Sequence, residues 1–406
     1  MARLVPLAIL GYGTVGRGVL EALHAKGALA PGVDARACTV CTRCTGSAPS
    51  RTHRSRASFA LARSEKRSGV VVEVMGGTSA ARCAVHASCG LASTPFVTAN
   101  KVLLSCYGPE ARLCGLGVLA EAAVAGGLPV IAVAHRCTPA AGLSHAAGVL
   151  NSTANWVLTS MCRYGLPLRR AMLEAIARGY AEADCACDVD GTDAAQKLAV
   201  LGSWCPGAHI MPRSLYTEGM RGVRTQECAC ALALGLDVKL LSLVSHGGAM
   251  VAQVRPFMAS SRCPVACGVG VTNAVFLAGD STGAMWLYGR GAGRRPTAAA
   301  VCSDVVAAAQ SAAARSRAPA RASYARRARA RMICKCYLRA CFITQPACKA
   351  ALARCMRRQT ITARLVLSSC STACVALLGA THDLVLISLV AHDPDVRYAR
   401  FMRVVL

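Results

Sequence analysis

Three glycines, Gly11, Gly13 and Gly16, stand in the spacing G-x-G-x-x-G, with Thr14 and Val15 filling the last gap. That spacing cradles a dinucleotide pyrophosphate when it falls between a strand and a helix. The first glycine permits a tight turn, the second lets backbone approach the phosphates, and the third lets the helix pack close to the strand. The helix N-terminus then faces the anion. The context is met here: the apolar run at residues 4–10 reads as a buried strand despite Pro6, and a helical pattern follows to Leu23. A second constellation is Asp193 and Lys197, four residues apart on a helix that Thr192 or Asp193 can cap and that runs to about Leu201. The two share a face. As a surface ion pair they would be worth under about 1 kcal/mol. Lysine is scarce, however: of 46 basic residues seven are lysine, and 46 − 7 leaves 39 arginines. A lysine kept amid so much arginine draws more attention than one in an average protein, beside the plain reading as a surface ion pair.

The thiols carry less. Cys38, Cys41 and Cys44 have a spacing that can ligate zinc or an iron–sulfur cluster, but the next cysteine is Cys83 and no fourth ligand falls at a recognisable spacing. The 24 cysteines are neither evenly spaced nor in a short chain, so they read as thiols of a reducing cytoplasm rather than a disulfide framework.

The elements that must position these residues follow from pattern. A second strand at residues 37–42 ends at Arg43 with no carboxylate nearby. An acid there would accept a ribose 2′-hydroxyl, whereas an arginine suits a 2′-phosphate, which favours NADP over NAD. Residues 70–75 and 95–98 read as further strands, the latter followed by Ala99-Asn100-Lys101. Strand and helix patterns alternate over the first 130 residues, the mark of an α/β fold with a doubly wound parallel sheet. Residues 121–131 by themselves read as a turn leading into a strand, and Asn151 opens a helical stretch. Residues 311–332 are basic and alanine-rich with one aromatic, Tyr324, and read as a linker rather than a base-stacking platform. Beyond them, strand-like runs at 336–344, 360–367 and 384–389 alternate with helix-like ones, which suggests a small α+β domain.

Composition sets the outer bounds. The chain has 406 residues, 54% of them hydrophobic and 16% charged, which argues against disorder. No apolar run of about 20 residues is free of charge or punctuation, so no spanning helix is expected. The first residues lead into a glycine turn rather than a cleavage site, so no secretory signal is expected either. The net charge of +26 has the size of a nucleic-acid footprint. Its arginines are scattered singly among alanines and no RNA module accompanies them, so compositional drift explains the charge better than a polyanion partner.

Taken together, several segments resemble homoserine dehydrogenase: GYGTVGRGVLEAL at 11–23, VVVEVMGG at 70–77, VTANKVLLS at 97–105, EAAVAGGLPVI at 121–131, GVLNSTANWVLTSM at 148–161, EAIARGYAEADCACDVDGTDAAQKLAVL at 174–201 and WLYGRGAGRRPTAAAV at 286–301. They stand in the family's order, and the 174–201 block carries its reacting residues in register. The tail from Tyr337 onward resembles the ACT-like regulatory domain of monofunctional members. The resemblance implies a Rossmann-type NAD(P)-binding domain at 1–130, an α+β catalytic and dimerisation domain at 131–310, a basic linker at 311–334 and an ACT-like domain at 335–406. It implies reversible reduction of L-aspartate 4-semialdehyde to L-homoserine with NADPH or NADH, on the route to threonine and methionine.

By the same resemblance Lys197 is the proton donor, Asp193 orients the lysine or the substrate, Glu182 holds the substrate ammonium and Thr153 joins the substrate site. Lys101 lies beside the nicotinamide and is the other candidate proton carrier. Gly179 and Gly293 lie near the cofactor, with Arg43 at the 2′-phosphate. A monovalent cation, usually sodium in the family, would be held by the Glu121 carboxylate and the backbone carbonyls of Val124, Gly126 and Leu128. Family members are homodimers or homotetramers that act on a small molecule in the cytoplasm, with no membrane. Three other readings remain at this point: a degenerate homologue without turnover, a basic nucleic-acid-binding protein, and a sibling dehydrogenase with another substrate.

Overall fold

A computed structural model describes residues 5–25, 33–42, 52–54, 69–89, 94–113, 118–141, 143–204, 210–247, 249–260, 263–279 and 283–314, and four strands within 335–405. Two compact units emerge. The first comprises residues 1–146, 195–215 and 277–327, the second residues 147–194, 216–276 and 328–406.

The first unit is built on strands β1 (Val5–Leu10), β2 (Val33–Thr42), β3 (Thr52–Arg54), β4 (Val70–Glu73), β5 (Phe96–Thr98) and β6 (Val118–Leu119). They form one sheet in the order β3-β2-β1-β4-β5-β6, parallel at every pair. The four residues of β4, VVVE, are all buried. Continuous burial of this kind belongs to a parallel sheet covered on both faces. Ile9, Val72 and Val97 meet Val19 and Leu23 of the helix Thr14–Ala25 and Val301 and Val305 of the helix Arg294–Ala314 in one core. The strand order reverses between β1 and β4. At such a switch point the carboxyl ends of neighbouring strands leave a crevice for a ligand.

Residues 121–131 do begin as a turn, the 3-10 turn Glu121–Ala123, but it leads into the helix Val130–Ala141 rather than into a strand. The apolar run at 130–134 has the composition of a strand, but a buried carboxylate decides otherwise. Glu121 Oε1 accepts the Ile131 N–H at 2.7 Å and Oε2 accepts the Ala132 N–H at 2.8 Å. These are orphan donors of a helix N-terminus, where a negative charge also meets the favourable end of the helix dipole.

A second sheet, most of whose residues belong to the second unit, is built from β7 (Leu143–Val149), β8 (Tyr216–Thr217), β9 (Leu236–Gly247), β10 (Ala249–Ser260) and β11 (Thr272–Gly279), while β12 (Gly283–Arg290) follows in the chain, within the first unit. The hairpin of β9 and β10 is antiparallel and in register from Ala249↔Gly247 to Ser260↔Leu236. The tail adds β13 (Lys335–Phe342), β14 (Thr362–Leu367), β15 (Thr372–Leu378) and β16 (Val396–Val405). The order runs β11-β7-β9-β10-β16-β13-β15-β14, with β8 also on β10. Within the tail every pair is antiparallel. Its β15 and β16 are absent from the sequence reading, while the run expected at 384–389 lies outside the described residues. The basic stretch does too from residue 315 on; its first residues close the helix Arg294–Ala314.

Candidate functional site

The three glycines of the G-x-G-x-x-G turn differ in what surrounds them. Gly11 has φ +113°, and a Cβ there would sit 2.7 Å from the Val74 carbonyl oxygen. A Cβ on Gly16 would lie 2.2 Å from the Gly11 carbonyl oxygen. Gly13 is different: a Cβ there would meet nothing within 4 Å. The fold therefore demands Gly11 and Gly16 but leaves the space above Gly13 open. The first helical bond runs from Arg17 N–H to Gly13 O, at 3.0 Å. The N–H groups of Thr14, Val15 and Gly16 precede it and have no carbonyl within their helix. Open space and amide donors together fit a pyrophosphate.

Beside this turn a buried acid organises the carboxyl ends of β4 and β5. Glu73 Oε2 accepts the Thr98 hydroxyl at 2.6 Å, and Oε1 accepts the Met75 N–H at 2.8 Å. Thr98 Oγ1 accepts the Asn100 N–H at 3.0 Å. Asn100 donates to the Gly77 carbonyl at 2.7 Å and accepts the Leu103 N–H at 3.0 Å, so it also caps the helix Lys101–Leu113. Burial pushes the Glu73 carboxyl up, against the pull of these donors. Lys101, half-buried, is the first residue of the helix so capped. The network fixes the backbone on either side of it.

A second acid pair lies behind the Glu121 turn. Asp304 Oδ2, on the helix Arg294–Ala314, accepts the Glu121 N–H at 2.8 Å. Burial pushes Asp304 up to about 7, and the neighbouring Glu121 charge adds to the rise. Burial also raises Glu121, although the backbone N–H groups of Ala132, Ile131 and Val130 oppose it. A folded chain thus keeps a proton on Asp304 that an unfolded one, with its usual value of 3.8, has lost. Stability from this group is complete below 3.8 and falls as pH rises toward about 7. Asp304→Asn keeps an acceptor for the Glu121 N–H but cannot ionise. Its Tm relative to the parent is expected to climb between about pH 4 and about pH 8, read by thermal melts across that range.

In the second unit Asn151 caps the helix Ser152–Tyr164, its Oδ1 accepting the Ala154 N–H at 2.7 Å. Its Nδ2 donates to Asp188 Oδ1 at 2.6 Å and to Asp193 Oδ2 at 2.9 Å. Asn151 and Asp193 are buried and Asp188 is half-buried. Thr153, also buried, donates its hydroxyl to the Tyr180 carbonyl at 2.8 Å. That bond ties the helix to the turn after the helix Leu168–Ala177. Gly179 sits in this turn at φ +71°, where Gly179 N–H bonds Ile176 O and Tyr180 N–H bonds Ala175 O. A left-handed residue closing a helix in this way is commonly glycine. One turn beyond Asn151, Asn155 accepts from the Lys239 ammonium at 3.0 Å. Lys239 is 1% exposed and also reaches Thr159 Oγ1 and the Gly268 carbonyl, which uses its three donors. Burial lowers its pKa.

Residues 129–306 match the protein-family model for homoserine dehydrogenase. That match covers less than half of the chain. A homoserine dehydrogenase of Synechocystis is 38% identical over 246 residues, which is 58% of this chain and 57% of that protein. One of Mycobacterium tuberculosis is 36% identical over 266 residues, 63% of this chain and 60% of that protein. The matched stretch thus spans less than two thirds of these relatives. The crystal structure of a homoserine dehydrogenase from Thiobacillus denitrificans superposes with a TM-score of 0.85 at 26% identity, covering 99% of this chain and 98% of that one. A hyperthermophilic archaeal homoserine dehydrogenase solved in complex with NADPH superposes with a TM-score of 0.64 at 25% identity, over 76% of this chain and 98% of that one.

Against this family background the structure sorts the residues named from sequence. Gly11, Gly13, Thr14, Val15 and Gly16 form the turn and helix start described above. Lys197 is half-buried within the helix Thr192–Trp204, with Asp193 one turn earlier on the same helix. Asp193 is buried, 9% exposed, and accepts a hydrogen bond from Asn151. Glu182 and Gly179 are exposed. Gly293, exposed at φ +116°, precedes the helix Arg294–Ala314. Around the Glu121 turn, Val124, Gly126 and Leu128 are buried, and Ala125 and Gly126 are both left-handed, at φ 55° and 62°. The Leu128 carbonyl accepts the Val130 N–H at 2.8 Å. Arg43 lies outside the described residues, as does Cys44. Among the described residues no three metal-ligating side chains of His, Cys, Asp or Glu gather, and no helix is long and apolar enough to cross a membrane. The sequence reading missed Glu73, Asn100, Asn151, Asp188, Lys239 and Asp304 as organising residues. For Lys239 the signal was available, since it is another of the seven lysines.

Proposed function

We propose that the chain is an NAD(P)H-dependent homoserine dehydrogenase that interconverts L-aspartate 4-semialdehyde and L-homoserine in amino-acid biosynthesis. The end-to-end correspondence with the Thiobacillus denitrificans enzyme carries this reading, since it extends past the family domain on both sides. The glycine turn is assigned to the cofactor pyrophosphate, because the open space at Gly13 suits it. Arg43 is assigned to the 2′-phosphate, which favours NADPH, with Gly179 and Gly293 allowing close backbone approach.

When bound, NADPH supplies the hydride that adds to the aldehyde carbon. The aldehyde oxygen then gains negative charge and needs a proton. Lys197 gives that proton in reduction and takes it back in oxidation, acting as general acid and base. Asp193 orients the amine or the substrate, Glu182 and Thr153 hold the amino-acid portion, and Lys101 steadies the reacting oxygen. The Glu121 carboxylate with the carbonyls of Val124, Gly126 and Leu128 is an all-oxygen donor set of the kind hard cations take, which supports a sodium site. The tail is assigned to an ACT-like domain: its four strands stand in the order fourth, first, third, second, all antiparallel. A cytoplasmic homodimer or homotetramer completes the reading.

Purified protein with L-aspartate 4-semialdehyde should consume NADPH, and NADH more slowly, in a 340 nm assay. Folded protein that consumes neither would leave the degenerate homologue as the better description.

A further inference from the structure

Trp156 stands on the helix Ser152–Tyr164, three residues after Thr153 and so on the same face. Both reach the turn that ends the helix Leu168–Ala177. The Thr153 hydroxyl donates to the Tyr180 carbonyl at 2.8 Å. The Trp156 ring lies against the Tyr180 ring, with centroids 5.6 Å apart and planes tilted by 54°, the arrangement of a favourable aromatic pair. The Arg178 guanidinium lies over the Trp156 ring, 5.6 Å from its centroid, close enough for a cation–π contact. Arg178 and Tyr180 flank Gly179, the left-handed residue at φ +71°. The indole thus takes one neighbour from each side of the glycine. The helix end is already closed by its own backbone, through the Tyr180 N–H to Ala175 O and the Gly179 N–H to Ile176 O. The indole is therefore not needed to end that helix; it ties the end to a second helix. Trp156 is half-buried, whereas Arg178, Tyr180 and Glu182 are exposed. Glu182, assigned above to the substrate ammonium, comes two residues after Tyr180.

We propose that Trp156 is a positioning residue: its indole, gripped by Arg178 and Tyr180 on either side of Gly179, holds this turn against the helix Ser152–Tyr164 and so presents Glu182 to the amino-acid substrate. The inference rests on the role proposed above for Glu182. Glycine makes the turn possible and also leaves it loose, since its backbone has the most freedom to lose. The ring restrains the chain on both sides of that loose point. A turn that is open part of the time binds substrate more weakly by that fraction.

The test uses the full chain with Trp156→Leu, Trp156→Phe, Glu182→Gln and the combination of Trp156→Leu with Glu182→Gln. Leucine keeps apolar bulk but has no π face, whereas phenylalanine keeps a face for both neighbours. Trp156→Leu is expected to raise the KM for L-aspartate 4-semialdehyde about fivefold, the scale of one lost aromatic pair. The kcat and the KM for NADPH should stay at the parent values, since substrate binding is lost and chemistry is not. Trp156→Phe should restore most of the KM. In the combination the KM should rise little beyond that of Glu182→Gln alone, because the turn no longer presents a charge. Arg178 gives a readout free of activity. Trypsin cuts after arginine, so cleavage between Arg178 and Gly179, located by mass spectrometry, should be about fivefold faster in Trp156→Leu as the open turn becomes more populated. A KM unmoved by leucine, a fully multiplicative rise in the combination, or unchanged cleavage at Arg178 would overturn the clasp. So would a loss of kcat that only follows a loss of Tm, with no recovery in Trp156→Phe. No turnover in the unsubstituted chain, or Glu182→Gln with the parent KM, would instead overturn the role of Glu182 on which the inference stands, and cleavage at Arg178 would still decide whether the ring holds the turn.

Discussion

Lys197→Ala is expected to lower kcat about 10²- to 10⁴-fold, the range that a positioned general acid contributes. The KM for NADPH should hold, because the glycine turn assigned to the cofactor is untouched. The fold should hold as well. Lys197 is half-buried on a helix whose inward residues Ala194, Ala195, Leu198 and Leu201 remain in place. Alanine is the best helix former, so the helix itself gains slightly. Lys197→Arg is the sharper control. It keeps the charge and length but not the chemistry, since a guanidinium does not release its proton in a protein. If the lysine were only a cation that steadies the developing negative charge, arginine would restore much of the rate. If it transfers the proton, arginine should be nearly as poor as alanine. Turnover that survives in both variants would move the proton to Lys101 or to water, and the same 340 nm assay would show it.

What the sequence discloses and what it hides divide along the range of the interaction. The glycine turn is legible because each of its requirements is local: Gly16 is excluded from having a side chain by Gly11, five residues away. The parallel sheet is legible because VVVE and its neighbours carry their burial in their own composition. The helix Val130–Ala141 is misread as a strand because the deciding group, the Glu121 carboxylate, precedes it by a whole turn of irregular chain. Asp304 meets Glu121 across 183 residues, and Lys239 meets Asn155 across 84. No spacing rule reaches that far. Glu73 fails for a different reason. It ends an apolar run and looks like the first polar residue after a strand, yet it is wholly buried because Thr98 and Met75 satisfy it. The residues assigned to the reaction were therefore easier to name than the residues packed around them. Asp193 is the instructive case: the family resemblance assigned it a role, while its burial and its bond to Asn151 were visible only in the fold.

The same distinction between fold and ligand gives the second large effect, in a matched pair of glycine substitutions. Gly16→Ala places a Cβ 2.2 Å from the Gly11 carbonyl oxygen, and backbone cannot swing away as a side chain can. Overpacking usually costs about 1–3 kcal/mol, and a backbone clash at the start of the helix Thr14–Ala25 should reach or exceed the upper end. The expected result is a large drop in Tm or no soluble protein. Gly13→Ala should do the opposite. Its Cβ meets no protein atom within 4 Å, and its φ lies outside the left-handed region. Removing a glycine from the unfolded ensemble then stabilises the chain by about 0.4–1 kcal/mol. Yet the methyl occupies the space assigned to the pyrophosphate. The KM for NADPH, or the Kd from quenching of protein fluorescence, should rise about tenfold or more, a loss of at least about 1.4 kcal/mol in binding. Stability and cofactor affinity thus move in opposite directions in one variant, which general damage to the fold cannot produce. A Gly13→Ala protein that binds NADPH as the parent does would remove the pyrophosphate from this turn, and with it the reason the turn keeps a glycine that its own packing does not need.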